Sequence, residues 1–279
     1  MFKATVNYTP TGLNKLFYLF KPGVAFKKKD IRLVRNLPSK WEEITADHIR
    51  ALAKARFLIE DLDEKRQYLV LRFLDIKPWV LSEIPLDDVE TISTHINKLL
   101  GENTLAHWPL KSVFVGLHHQ WIGPEIRGAS MSFLEFIEAD RYYTRFVSSR
   151  KMEWLDMLCA ILYRPVGNAS LTDPDFNGDM RIPMNAYECK KRALKCHRIS
   201  AVDKYVILYQ YEGFRNWIQA SYPMTFSESG GKSKHGMGGL VISLAGQKFG
   251  DDKAVEQKKL HVILTSIEMA REEAEKMGI

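Results

Sequence analysis

Between residues 131 and 165, MSFLEFIEADRYYTRFVSSRKMEWLDMLCAILYRP, apolar side chains recur every three or four positions with charged ones between them, the spacing of amphipathic helices. Phe133, Phe136, Ile137, Tyr143, Phe146 and Val147 fall near one helical face, and Glu135, Glu138, Arg141 and Arg145 fall largely away from it. A second stripe follows at Trp154, Leu155, Leu158, Ile161 and Leu162. Ser148, Ser149 and Arg150 suffice to turn the chain, and Pro165 stops the second helix because it has no N–H to donate. The segment therefore predicts a helical hairpin whose two stripes pack against a third element.

Before it, alternation at Phe2, Ala4, Val6 and Tyr8 predicts a strand, broken by Thr9-Pro10-Thr11-Gly12, and Asp30–Arg35 predicts a second. Leu13–Phe20 fits either helix or strand. Thr45 is placed to cap a helix carrying Ile49, Leu52, Ala53 and Phe57, and further helices fit Glu64–Phe73 and Val89–Leu100. A short strand fits Ser112–Val115. After the hairpin, Val166–Pro183 is rich in Asn, Asp, Gly and Pro and reads as a long surface loop. Helices resume at about Asn185–Arg198, Ala201–Tyr222 and Asp251–Lys276, with FSESGGKSKHGMGG at 226–239 reading as a linker. The expected fold is mainly α, a multi-helix bundle with a small N-terminal β arm or hairpin. Its expected divisions are a β arm at 1–36, a helical core at 37–225, the glycine-rich linker at 226–239 and a C-terminal helical segment at 240–279.

Charge sharpens that division. Residues 1–40 carry nine basic side chains against the single acid Asp30, whereas the remainder is slightly acidic, so the pI of about 9.0 belongs to one end of the chain. No apolar run reaches the roughly 18–20 residues that cross a bilayer, so membrane insertion is not expected. Cys159, Cys189 and Cys196 cannot all pair, and one lies within an apolar helix face, which suits reduced thiols and a cytoplasmic protein.

Candidate chemistry does not survive inspection. Gly231-Lys232-Ser233 mimics the end of a phosphate loop, but Phe226 stands where its first glycine belongs. His118 and His119 are adjacent and diverge on either helix or strand. Cys189 and Cys196 are two helical turns apart, too far to share one zinc ion alone. Asp173, Asp175, Asn177, Gly178 and Asp179 open like a calcium loop, yet Met184 occupies the position of the bidentate glutamate. No catalytic, metal or cofactor residue is assigned. Two basic clusters remain that could neutralise phosphates: Lys27, Lys28, Lys29, Arg32 and Arg35, and Lys190, Lys191, Arg192, Lys195 and Arg198.

Three motifs, Leu37-Pro38-x-x-Trp41-Glu42-Glu43-Ile44-Thr45, Phe136-x-x-Ala139-Asp140 and Leu158-x-Ala160-x-Leu162-Tyr163-Arg164-Pro165, together resemble a family of helical proteins encoded beside tail genes of tailed phages and prophages, particularly those of Bacteroidetes-type hosts. That family resembles phage tail assembly chaperones, and the likeness spans roughly residues 36–222. It implies a non-enzymatic protein of the bacterial host cytoplasm that coats apolar helical segments of the tape-measure protein until the tail tube polymerises. On that reading Phe133, Phe136, Ile137, Met152 and Met157 offer the partner surface, methionine supplying adaptable contacts. Homo-oligomerisation is compatible with it. The alternatives are a virion structural or scaffold component, and a nucleic-acid-binding protein acting through Lys27, Lys28, Lys29, Arg32 and Arg35.

Overall fold

A computed structural model describes residues 2–8, 31–101, 103–167, 178–226 and 252–277. The protein is mainly α, with small antiparallel sheets. It divides into two compact units, Met1–Asn103 and Thr104–Ile279. The change in composition near residue 37 is thus not where the compact units part.

In the first unit, β1 (Phe2–Tyr8) pairs antiparallel with β2 (Ile31–Leu37), Phe2 opposite Leu37 and Tyr8 opposite Ile31. The period-two pattern places Ala4, Val6 and Leu37 in the core. Four helices follow: α1 (Ala46–Phe57), α2 (Leu62–Leu74), the single turn α3 (Pro78–Leu81) and α4 (Leu86–Gly101). Thr45 caps α1 by accepting from the His48 N–H, and the His48 ring returns to the Thr45 N–H, a reciprocal pair that satisfies two end donors. Arg35 Nε donates to the Leu74 carbonyl at 2.9 Å, and Phe2 stacks on His95 at 4.2 Å, so the β hairpin is fastened to α2 and α4.

The second unit opens with β3 (Ser112–Val115), β4 (His119–Ile122) and, after the helical hairpin, β5 (Arg164–Pro165), in the order β3-β4-β5. The hairpin is α5 (Phe133–Ser149) and α6 (Met152–Leu162). Ser132 caps α5, and Arg150 ends it in the left-handed region at φ 57°. The buried face of α5 is rotated from the expected one. Glu135, Ala139 and Tyr142 are buried with Phe133, Phe136 and Phe146, whereas Val147 is 42% exposed. Pattern alone assigns Glu135 to solvent; the cause of its burial is a charge cluster described below.

The predicted helix at Asn185–Arg198 is α7 (Ala186–Ala193) followed by a 3-10 turn at Cys196–Arg198. Then α8 (Ala201–Ser221) runs through the core, burying residues on every side, Val206, Tyr209, Gln210, Tyr211, Phe214 and Ile218 among them. Phe214 sits among Trp108, Phe136, Tyr211 and Trp217 at ring distances of 5.8–6.3 Å. Gly128 lets the chain pass that ring: its φ is +64°, and a Cβ there would lie 2.8 Å from Phe214 Cζ.

After the short α9 (Pro223–Phe226), the predicted C-terminal helix is divided into α10 (Asp252–Gln257) and α11 (Leu260–Met277). The backbone at the break pairs with the start of α5: Phe133 N–H donates to Lys258 O, and Leu260 N–H to Met131 O, both at 2.9 Å. Those bonds replace the helical ones that a continuous helix would make. Leu260, Ile263, Leu264 and Ile267 are buried, and the Glu268 carboxylate clasps the start of α9, accepting from Met224 N–H, Thr225 N–H and Thr225 Oγ1. The predicted linker at 226–239, apart from Phe226, and the cluster Lys27, Lys28, Lys29 lie outside the described residues. Among the described residues no helix is long and apolar enough to cross a membrane.

Candidate functional site

Of the hairpin residues expected to meet a partner, Phe133 and Phe136 are 0% and 1% exposed. This corrects their assignment to a surface groove: both rings lie in the core, Phe136 edge-on to Phe214. Ile137 and Met157 are half-buried, and Met152 is 40% exposed beside the turn, its sulfur 4.0 Å from the Tyr205 hydroxyl. Of the basic arm, Arg32 and Arg35 are exposed on β2. Three residues apart on a strand they face opposite ways, and Arg35 is engaged with Leu74 O. They do not form one patch.

A cluster of four charged side chains in the second unit is buried. Glu135 receives Arg181 Nη1 at 2.7 Å, Arg181 Nη2 at 3.1 Å and Arg164 Nη2 at 2.9 Å. Asp179 receives Arg181 Nε at 2.8 Å, Arg181 Nη2 at 2.9 Å and Arg164 Nη2 at 2.9 Å. Arg181 also donates to Leu162 O at 2.7 Å. The side chains of Glu135, Arg164 and Arg181 are each 1% exposed and that of Asp179 11%, so two cations and two carboxylates are buried almost wholly together with no formal net charge. Burial opposes the Arg181 charge, but Glu135 and Asp179 outweigh it and raise its pKa. For Arg164 burial wins and lowers the pKa, with Glu135 opposing and Arg181 adding.

This arrangement is a lock. It ties the first turn of α5 to β5 and to residues 179–181, whose backbone is pinned by the Val166–Arg181 bridge. Asp179, read from sequence as part of a calcium-like loop, has both oxygens on arginines; Asp173, Asp175 and Asn177 lie outside the described residues. Glu135, Arg164 and Arg181 are not among the site residues that the sequence suggests. The sequence signal is thin: Arg164 precedes Pro165, Arg181 stands two residues before Pro183, and Glu135 follows Leu134 and precedes Phe136 in an apolar run.

A second buried polar ring joins elements far apart in sequence. Gln210, fully buried, accepts from Leu110 N–H at 2.8 Å and donates to the Tyr163 hydroxyl at 2.8 Å, while that hydroxyl donates to Leu110 O. Burial raises the Tyr163 pKa strongly, so the phenol is a permanent donor. Gly123 makes room for it: a Cβ there would stand 2.8 Å from Tyr163 Cζ.

The three cysteines are free and buried. Nearby, Lys204 Nζ meets Asp156 at 2.6 Å, and Arg192 Nη2 meets Cys189 Sγ at 2.9 Å. Burial pushes the Cys159 and Cys189 thiols up, and Cys196 up to about 12. A thiol raised in the folded state contributes stability that is intact below its ordinary value of 9.0 and lost as pH climbs towards about 12. Native protein at pH 8 is therefore expected to resist maleimide labelling of all three cysteines, and its urea midpoint to fall as pH rises above about 9. Labelling of folded protein as fast as of urea-unfolded protein would contradict this burial.

On the surface, α7 turns Cys189 and Arg192 inward and exposes Tyr187, Lys190 and Lys191. Lys195, His197 and Arg198 continue the exposed face through the 3-10 turn. In the first unit an open groove is lined by Phe2, His95 and the polar face of α4, Asp87, Glu90, Thr91, Thr94 and Lys98. Among the described residues, no three His, Cys, Asp or Glu gather as metal ligands would. No family model, characterised protein or solved structure matches this chain.

Proposed function

We propose that this protein is a non-enzymatic assembly factor that binds an apolar helical segment of a longer tail protein, as a tail assembly chaperone holds a tape-measure protein. The observation that supports this reading most is where the residues behind the phage-family resemblance lie. Phe136 and Ala139 are buried on α5, Asp140 pairs with Arg215 of α8, Tyr163 closes the ring with Gln210 and Leu110, and Arg164 enters the buried charge cluster. These residues are committed to the interior, so on this reading the protein binds through what its surface still exposes. With Phe133 and Phe136 internal, the contact area left on the hairpin is its turn end, where Val147 and Met152 are exposed and Ile137 and Met157 half-buried along the helices.

The test is titration of the full-length protein with helical fragments of a tape-measure protein. Binding in the micromolar range is expected, weakened at least about tenfold by Val147→Glu combined with Met152→Glu and unchanged by Glu138→Gln. If no tape-measure fragment binds, the reading fails; if the protein is retained in purified particles, it is a virion component.

A further inference from the structure

The geometry points to a single-stranded nucleic-acid-binding surface on the exposed side of α7 and the 3-10 turn after it, a site independent of the assembly reading above. The segment is built with a fixed inside and outside. Cys189, Arg192 and Cys196 are buried at 1%, 7% and 0% exposure, so its other side is held toward solvent. That side presents Lys190, Lys191, Lys195 and Arg198. Within 186–198 the sequence holds one acid, Glu188, which Lys191 already engages at 2.9 Å. A row of cations with so little local compensation attracts a polyanion and gains from releasing its counterions.

Aromatic faces narrow the class of polyanion. Tyr187 is 67% exposed at the start of the same helix, with Lys191 Nζ 4.3 Å from its ring centre. Phe114 is 61% exposed on β3, the edge strand whose following turn abuts the basic segment: a Cβ on Gly116 would lie 3.6 Å from the Arg198 side chain. Exposed rings beside cations suit unpaired bases, which stack while their phosphates meet lysine and arginine. A duplex hides its base faces, and an acidic protein has no bases to stack.

The experiment is fluorescence anisotropy of a labelled oligothymidylate with the full chain across a salt series. Binding is expected to weaken with salt. Lys190→Gln/Lys191→Gln/Lys195→Gln is expected to reduce affinity at least about tenfold and lower the log–log salt slope by about two to three. Tyr187→Ala is expected to cost about fivefold or more with the slope kept. Circular dichroism verifies that the variants fold, and the charge-reversed Lys190→Glu/Lys195→Glu provides a second disruption at exposed positions. Lys27→Gln/Lys28→Gln/Lys29→Gln is expected to retain binding. The proposal is overturned if the wild type does not bind at low salt, if the α7 variants bind like wild type, if the arm variant alone abolishes binding, or if polyglutamate displaces the oligonucleotide at equal charge concentration.

Discussion

Glu135→Ala is expected to destabilise the second unit by about 3–5 kcal/mol, because it leaves Arg164 and Arg181 buried with one carboxylate between them. Folding stabilities are typically about 5–15 kcal/mol, so such a loss removes a large share and lowers the midpoint on the order of 10 °C. The size follows from burial. Arg141 and Glu138 also pair, at 3.0 Å, but Arg141 is 53% exposed, and Glu138→Ala is expected to cost under about 0.5 kcal/mol. Glu135→Gln keeps the shape and one acceptor but not the charge, so it is expected to fall between the two. Thermal melts of the three variants decide the matter. Equal costs for Glu135→Ala and Glu138→Ala would mean that the cluster is not sealed from water.

Gln210→Leu is expected to cost about 2–4 kcal/mol, the second-largest loss. Leucine fills the space but leaves the Leu110 N–H without an acceptor and removes the donor to Tyr163. The bond to Leu110 bridges 100 residues of sequence, so its loss frees the strand region from the central helix, and hydrogen exchange of β3 is expected to accelerate with little change at α11. Tyr163→Phe breaks the same ring at another corner. If the two costs are coupled, the double variant is less destabilised than their sum. Full additivity would contradict a closed ring.

The helical architecture was legible because periodicity reports burial, and long apolar stripes such as those of α5, α6 and α8 leave little choice. What escaped has a physical cause in each case. The break between α10 and α11 comes from backbone bonds to residues 131–133, which no side-chain pattern encodes. The rotation of α5 comes from a buried charge, and hydropathy places every glutamate outside. Glu135, Arg164 and Arg181 lie up to 46 positions apart, so only the fold brings them together. Gln210 looks like an ordinary polar residue on an amphipathic helix until Leu110 and Tyr163 surround it. Phe133 and Phe136 were correctly read as the apolar face of a helix, but an apolar stripe does not say whether its cover is the same chain or another. Here the core covers them, so the partner surface proposed above lies at Met152 and its neighbours.

Whether the protein holds a helical tail protein, as proposed, is decided by affinity purification from phage-producing cells after nuclease treatment, with the bound polypeptides identified by mass spectrometry. The expected result is a long, helical tape-measure protein in stoichiometric amount, lost with Val147→Glu/Met152→Glu, and no copy of this protein in finished particles. Recovery of the protein alone, or with only tube and portal components and unchanged by those substitutions, would contradict it.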